Sequence, residues 1–225
     1  MIHSYSKIKT DGKFNEDFKT YATVGILQYL PVDLFWGIIR SSTVDSQNLP
    51  DHSGEIIQME FWPRWYNLKN IDCVNNSKYI EPDIFIRFEM FDCIIEVKKS
   101  DYQGQYQDQW LSQSQAYFNE YGPDKKLVYI ALGGNINLDE TSSLKFVHKA
   151  TWQKLLKNVN NALRERLLMK FPSQQTKQEI RILNSVVESF SQYNEYIVEL
   201  MDTLKSEDIF LPTNKEINSI WKIKR

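Results

Sequence analysis

The sequence predicts a mixed α/β domain followed by a helical extension. An amphipathic helical pattern comes first, and a series of short segments rich in β-branched and aromatic residues follows it. A Gln-bearing helical segment then precedes a continuous apolar run of the kind found in buried strands. The last third of the chain carries apolar residues at helical spacings. The predicted order is therefore helix, strand, strand, strand, helix, strand, strand, helix.

Composition favours one large domain with a hydrophobic core. The chain has 225 residues, of which 42% are hydrophobic and 25% charged, and its net charge is -2. Two cysteines cannot form a disulfide scaffold, so a reducing cytoplasm is the expected compartment. No apolar stretch is long enough to predict a membrane span. Because the overall charge is near neutral, any polyanion must bind a local basic surface.

The first predicted elements are a helix over residues 13–30 and a strand over residues 54–62. Aromatic and small residues recur every three or four positions in the helix, which we expect Pro31 to end. A polar loop at residues 41–53 leads to the strand, and an Asn-rich turn at residues 65–78 follows it.

A hairpin, a helix and a buried strand are predicted next. The segments 84–88 and 93–97 are both rich in Ile and Phe or Val, and a connection of four residues separates them. Residues 105–121 carry many Gln and neither Pro nor Gly, which favours a helix. Residues 126–132 form the apolar run between two Gly-containing turns, which indicates a central strand.

The C-terminal part is predicted to be helical after one more short strand at residues 146–148. Thr151 is the expected N-cap of a helix that ends near Pro172. We therefore predict a core domain over residues 1–150 and a helical region over residues 151–225 that packs on the core or on a partner. Apolar positions that need a packing partner follow at helical spacings: Ile180, Leu183, Val187, Phe190, Ile197, Leu200 and Leu204.

The predicted hairpin carries the most informative polar residues. Asp83 opens its first strand, and Glu96 and Lys98 lie on one face of the second strand, opposite the apolar residues that can pack into the core. The hairpin register can bring Asp83 close to Glu96. Two neighbouring carboxylates repel each other unless a cation lies between them. Hard oxygen ligands suit Mg²⁺ or Mn²⁺.

A lysine beside such a cation completes the groups needed to hydrolyse a phosphodiester. The ammonium of Lys98 can orient a water molecule and offset the negative charge of the transition state. No Ser-His-Asp or Cys-His grouping competes with this site, because His3, His52 and His148 are isolated. The alternative interpretation is an ordinary Pro-Asp strand entry and a surface Glu-Lys pair.

Pro82-Asp83 followed by Glu96-Val97-Lys98 resembles the signature of the PD-(D/E)xK nuclease superfamily, which has the restriction endonuclease-like α-β-β-β-α-β core with a mixed sheet. The predicted element order over residues 13–132 is similar to that core. The resemblance implies that Asp83, Glu96 and the carbonyl of Val97 hold the metal. It also implies that Lys98 serves the attacking water.

Three further residues enter through the same resemblance. Gln113 and Tyr117 look like the QxxxY element of RecB-like members, so Gln113 is a candidate catalytic residue. Glu16 is the candidate for the metal-binding acid of the first helix, although the helical wheel places it opposite the apolar face. Glu60, on the first strand, is the alternative acid.

The implied activity is a Mg²⁺- or Mn²⁺-dependent nuclease that acts on DNA in preference to RNA. The resemblance also implies a homodimer or a partner protein, and a role in phage defence, restriction or mobile-element processing. Basic and aromatic residues alternate near the site and can contact nucleic acid: Trp62, Arg64, Trp65, Tyr66, Lys69, Lys78, Arg87 and Lys99. The alternative is a catalytically silent nuclease-fold module that binds nucleic acid or protein. An accidental match in an unrelated α/β protein is a third possibility.

Overall fold

The computed structural model describes residues 16–71, 78–134, 144 and 146–196. Six helical segments and five strands lie in these ranges, which confirms the α/β class. In chain order they are α1 (Glu16–Leu27), α2 (Val32–Ser41), a 3-10 turn (Ser46–Asn48), β1 (Ile56–Phe61), β2 (Ile84–Phe88), β3 (Asp92–Val97), α3 (Gln107–Tyr121), β4 (Leu127–Leu132), β5 (Val147–Ala150), α4 (Trp152–Leu167) and α5 (Gln174–Ser191).

The strands form one mixed sheet in the order β1-β2-β3-β4-β5. β1, β2 and β3 are antiparallel neighbours, so the predicted hairpin is confirmed, whereas β3, β4 and β5 run parallel. Helix α3 makes the crossover from β3 to β4, because parallel neighbours cannot be joined by a tight turn. Every residue of β3 is buried, since helices cover both faces of the sheet at its centre.

Aromatic packing joins α3 to one face of the sheet. Trp65 and Phe85 meet edge to face with their ring centroids 5.2 Å apart, and Phe85 stacks on Tyr121 of α3 at 4.9 Å. Tyr117 and Tyr129 belong to the same buried cluster. The predicted helix therefore turns Tyr117 and Tyr121 toward the sheet.

The opposite face of the sheet packs against α2, a helix that the sequence analysis did not predict. Trp36 of α2 lies with its ring centroid 5.6 Å from that of Phe88 and 4.8 Å from that of Phe91. The predicted helix over 13–30 ends at Leu27, within the expected region. Pro31 then begins α2 instead of only ending α1, because its fixed φ suits a helix start.

Helices α4 and α5 complete the layer around α1 and α2. The Thr151 hydroxyl accepts a hydrogen bond from the Lys154 N–H, so the predicted N-cap is confirmed. Helix α4 ends at Leu167, earlier than expected, and the Arg166–Glu179 ion pair at 2.5 Å joins it to α5. Helix α5 also contacts α1. Through Glu195 the described residues form one compact unit.

The structure describes the C-terminal region only as far as residue 196. The apolar positions Ile197, Leu200 and Leu204 of the predicted helical pattern lie outside the described residues. Within the ranges that are described, no helix has the length and apolar character needed to cross a bilayer.

Candidate active site

The β2–β3 hairpin brings Asp83 next to Glu96. The last registered pair is Ile84 with Ile95, so one further step places Asp83 opposite Glu96 on the same face of the sheet. Oδ2 of Asp83 accepts a hydrogen bond of 2.7 Å from the N–H of Val97. The three residues are therefore joined across the hairpin at the carboxyl end of β3.

Glu96 is the most enclosed member of the site, with 2% of its surface exposed. Its Oε1 accepts hydrogen bonds from Lys98 Nζ at 3.0 Å and Gln109 Nε2 at 2.7 Å. Its Oε2 accepts one from Gln113 Nε2 at 2.8 Å. Three donors thus balance a carboxylate that would otherwise be costly to bury.

The positive charge of Lys98 interacts with the three nearby carboxylates. Burial works against its ammonium form, but the charges of Glu96, Glu16 and Asp83 outweigh burial and raise the pKa of Lys98. The group therefore stays cationic at neutral pH. Its main-chain carbonyl accepts a hydrogen bond of 2.6 Å from the indole N–H of Trp152 at the start of α4.

Glu16 reaches this site from the first turn of α1. Its Oε2 accepts a hydrogen bond of 2.7 Å from the N–H of Lys99. Burial raises the pKa of Glu16, the Lys98 charge and the Lys99 N–H oppose that rise, and the charge of Glu96 adds to it. Glu16, Asp83 and Glu96 therefore all contact the chain between Glu96 and Lys99, and Glu96 alone binds the Lys98 ammonium directly.

The helical wheel placed Glu16 opposite the apolar face, and the structure shows that this side of α1 is also partly buried. The wheel assumed one apolar face, whereas α1 is buried on most of its circumference, and even Lys19 has no exposed surface. A helix enclosed on several sides can turn Glu16 toward the sheet. Glu60, the alternative acid, instead accepts a hydrogen bond of 3.0 Å from Gln58 on its own strand.

Opposing effects also act on the pKa of Asp83. Burial and the neighbouring charge of Glu96 raise its pKa well above the usual range. The hydrogen bond from Val97 and the charge of Lys98 act in the opposite direction without offsetting the rise. A divalent cation in this position would offset the repulsion from Glu96, which adds to the effect of burial on the pKa of Asp83.

The face of β3 that carries Glu96 is covered by protein, whereas the sequence pattern favoured an exposed Glu96 carboxylate beside an exposed Lys98 ammonium. Helix α3 lies over this face, because Gln109 and Gln113 project onto Glu96. Access is from the side of Asp83, which remains partly exposed and lines a cleft of about 1080 Å³.

The two residues of the QxxxY element serve different ends of β3. Gln113 contacts Glu96 and accepts a hydrogen bond from the hydroxyl of Tyr129. Tyr117 instead donates a hydrogen bond of 3.0 Å to Asp92, at the start of the strand. Since Glu96 and Asp92 are four residues apart in an extended strand, Tyr117 does not touch the site.

Sequence analysis named Gln113 but assigned no contact to Gln109 or Gln105. Gln105 lies before α3, and its Nε2 donates a hydrogen bond of 3.2 Å to the carbonyl of Gly133. Its Oε1 accepts a hydrogen bond of 3.0 Å from the indole of Trp110. The spacing of four between Gln109 and Gln113 was the available signal for Gln109, because it places both side chains on one helical face, whereas Gln105 precedes the helix and had no such signal.

The expected basic surface is partly occupied by internal ion pairs. Arg87 pairs with the buried Asp92 at 3.3 Å, and Arg64 pairs with Glu81 at 2.6 Å. Lys69 and Lys99 have exposed side chains. Arg87 is therefore part of the fold and does not form a phosphate-binding surface.

The donor set suits Mg²⁺ or Mn²⁺ in its chemistry. The carboxylates of Glu16, Asp83 and Glu96 are hard oxygen ligands. The carbonyl of Val97, the residue after Glu96, is a further one. In the part of the chain that the structure describes, however, no three His, Cys, Asp or Glu side chains already form a group that could hold a metal ion. Their oxygens face hydrogen-bond donors of the protein, so metal binding would require an exchange of these partners.

Comparison with known proteins finds no match among family models, curated proteins or solved structures.

Proposed function

We propose that this chain is a metal-dependent nuclease of the PD-(D/E)xK type that hydrolyses phosphodiester bonds of DNA. The observation that supports the proposal is that Glu96 binds the Lys98 ammonium at 3.0 Å, while Asp83 and Glu16 accept hydrogen bonds from the N–H groups of Val97 and Lys99 on either side of Lys98. Carboxylates and a charged lysine at the open end of a hairpin are the groups that phosphodiester hydrolysis requires.

The order of elements supports the same proposal. Helix α1, strands β1 to β3, helix α3 and strand β4 follow each other in the α-β-β-β-α-β sequence of that fold. Helix α2 is an addition between α1 and β1, and β5 extends the sheet beyond β4.

Each residue has a distinct role in this proposal. Asp83, Glu96, the carbonyl of Val97 and Glu16 would hold Mg²⁺ or Mn²⁺. When bound, the ion would polarise the scissile phosphate and make water a stronger nucleophile. Lys98 orients the attacking water and offsets charge on the phosphate, because the surrounding carboxylates keep its ammonium protonated.

Positioning residues hold these groups in place. Gln109 and Gln113 fix the Glu96 carboxylate from the side of α3. Tyr129 in turn donates to Gln113, which sets the orientation of the amide so that its N–H₂ faces Glu96. Such outer contacts maintain the rotamer of a carboxylate that would bind metal.

A catalytically silent module is the second candidate. The observation in its favour is that protein donors already satisfy both oxygens of Glu96 and that the described side chains form no ready metal group. In that case the site would be a buried polar network that stabilises the fold, and the protein would act by binding nucleic acid or another protein.

A cleavage assay separates these two functions. Purified protein is incubated with linear, circular and single-stranded DNA and with RNA, in Mg²⁺, Mn²⁺ or a chelator. We expect cleavage of DNA that depends on the ion and falls by about 10²- to 10⁴-fold in the Lys98→Ala protein. Lys177→Ala is the matched control, because it removes an exposed lysine of α5 and leaves the carboxylates and the basic residues near the site intact.

Two outcomes of this cleavage assay would contradict the proposal. Cleavage at an unchanged rate in Lys98→Ala and Asp83→Ala would assign any activity to another site or to a contaminant. No cleavage of any substrate, with no stabilisation by Mn²⁺, would favour the silent module.

A further inference from the structure

An aromatic cleft opens beside Asp83. It has a volume of about 1080 Å³, and Asp83 forms part of its wall. We define the aromatic cleft by the aromatic residues that line it: Tyr21, Tyr29, Phe61, Trp62, Trp65, Tyr79 and Tyr121. A volume of this size exceeds what one nucleobase needs and suits a short stretch of an extended chain.

Trp62 connects this cleft to the candidate active site. Its backbone N–H donates a hydrogen bond of 2.9 Å to the carbonyl of Asp83. Its φ is 52°, a left-handed conformation that is rare for a bulky residue and costs conformational energy. Strain of this kind is common at ligand-binding sites, where the surrounding structure holds a side chain in a specific place.

The indole of Trp62 also has an unused hydrogen-bond donor. Its Nε1 is buried and has no hydrogen-bond partner among the described residues. A buried donor without a partner is uncommon in a folded protein and indicates a missing ligand or water. Because the ring lines the cleft, a ligand there can stack on it, and the buried Nε1–H becomes available to that ligand only if the indole turns.

The charges of the cleft select the type of ligand. Among the described residues, Arg64 is the one cation that lines it; Arg64 is paired with Glu81 and lies with its guanidinium carbon 4.6 Å from the ring centroid of Tyr79. The acidic lining residues outnumber it: Asp17, Glu60, Glu81, Asp83 and Glu120. Phosphates are repelled by such a surface, whereas a nucleobase has a π face for the rings and N–H donors for the carboxylates.

We propose that the aromatic cleft binds unpaired nucleobases next to the phosphate held at Asp83, so that the substrate is single-stranded or locally unpaired. The placement of the phosphate rests on the proposed nuclease function. A paired base in a duplex cannot expose its face to the rings, because its neighbours stack on both sides. A cationic peptide is the competing ligand, and the continuity of the cleft with Asp83 favours the nucleic acid.

Binding is tested with the Lys98→Ala protein in Mn²⁺, so that the probe is not cut. Fluorescence anisotropy compares a fluorescein-labelled single strand with a labelled hairpin duplex of the same sequence. We expect the single strand to bind at least about fivefold more tightly, and Trp62→Ala to weaken that binding by about fivefold or more. The duplex affinity should change little.

Two further variants guard against a folding effect of Trp62→Ala. Tyr29 is 59% exposed, so Tyr29→Ala should fold normally and still weaken single-strand binding. Phe171 is 95% exposed and does not line the cleft, so Phe171→Ala is the control for loss of a surface aromatic ring and should bind like the parent protein. Thermal unfolding of each variant verifies the fold.

Several outcomes overturn the inference. These are equal affinity for single strand and duplex, unchanged single-strand binding in Trp62→Ala and Tyr29→Ala, or Trp62-dependent binding of an arginine-rich peptide in place of DNA. Equal cleavage of single strands and duplexes by the wild-type protein would support the nuclease function and contradict the proposed role of the aromatic cleft. Trp62-dependent binding of the single strand without cleavage by the wild-type protein would support the cleft and contradict the nuclease.

Discussion

Lys19 Nζ donates a hydrogen bond of 2.9 Å to the main-chain carbonyl of Lys99. The N–H of the same residue, Lys99, donates to Glu16, one helical turn before Lys19. Helix α1 therefore holds both polar groups of one residue next to Lys98. This arrangement couples the position of the proposed catalytic lysine to the packing of α1.

The first prediction concerns the buried charge of Lys19. Its side chain has no exposed surface, pairs with Glu195 at 2.5 Å and lies with Nζ 4.1 Å from the ring centroid of Trp152. Lys19→Met leaves Glu195 without its partner, so we expect a loss of about 3 kcal/mol in the free energy of unfolding. Urea denaturation measures this loss.

The double variant Lys19→Met/Glu195→Gln provides the control. Because it removes both charges, it should recover at least about 1 kcal/mol relative to Lys19→Met alone. Strictly additive losses would show that the Lys19–Glu195 pair does not contribute to stability.

The second prediction uses two glycines with positive φ. Gly133 has a φ of 76°, and a Cβ there would lie 2.6 Å from the carbonyl oxygen of Lys98 and 2.8 Å from the indole nitrogen of Trp152. Gly122 has a φ of 80° and open space around the same position. Both Gly→Ala changes force alanine into a positive-φ conformation at a cost of about 1–3 kcal/mol, since Gly122 with its ψ of 177° lies in a region that is essentially restricted to glycine, and at Gly133 the clash adds to this cost.

Activity distinguishes the two changes further. Gly133→Ala displaces the backbone of Lys98, so we expect reduced DNA cleavage at a temperature where the protein remains folded. Gly122→Ala should cleave at the wild-type rate. Equal stability and equal activity of the two variants would show that the backbone at Lys98 tolerates movement.

The third prediction separates the two residues of the QxxxY element. Gln113→Ala removes a donor to Glu96 and the acceptor of the Tyr129 hydroxyl, so we expect cleavage to fall by about 10- to 100-fold. Tyr117→Phe removes one hydrogen bond to Asp92, which Lys125 still contacts at 3.0 Å. It should cost about 1 kcal/mol of stability and leave cleavage unchanged.

Single-turnover cleavage and urea unfolding, measured on both proteins, test this separation. A loss of cleavage in Tyr117→Phe as large as that in Gln113→Ala would mean that the start of β3 influences the site at its other end.

The fourth prediction concerns pH and metal at Asp83. Burial and the charge of Glu96 raise its folded-state pKa above the ordinary value of 3.8, so the folded protein retains a proton that the unfolded chain releases. The resulting stability is complete below that ordinary value and is lost as the pH rises through the raised pKa. In a chelator, Asp83→Asn should therefore become more stable relative to wild type as the pH increases.

Mn²⁺ should reverse this trend in the wild-type protein. Because metal competes with the proton for the carboxylate, the increase in melting temperature on adding Mn²⁺ should be larger near about pH 8 than near about pH 5. Glu120→Gln is the control, since Glu120 is an exposed carboxylate of the aromatic cleft. A stabilisation by Mn²⁺ that persists in Asp83→Asn would remove Asp83 from the metal site.

The strands and α3 could be predicted because their patterns act over short distances. The apolar run before Gly133 and the paired segments of the hairpin have few alternatives that bury their side chains. Helix α2 could not be identified in this way, because Pro31 is equally compatible with the end of one helix and the start of the next. The position of Glu16 was also unpredictable, since a helix enclosed on several sides has no single buried face.

The sequence alone determined the spacing of Asp83, Glu96 and Lys98 on two adjacent strands, because the alternation of side chains in a hairpin is a local property. Only the tertiary structure decided that α3 covers Glu96, that Glu16 and Lys19 hold Lys99, and that the aromatic cleft opens beside Asp83. These features depend on packing between segments far apart in the chain. Burial and pKa follow from such packing and are not encoded in any short stretch of residues.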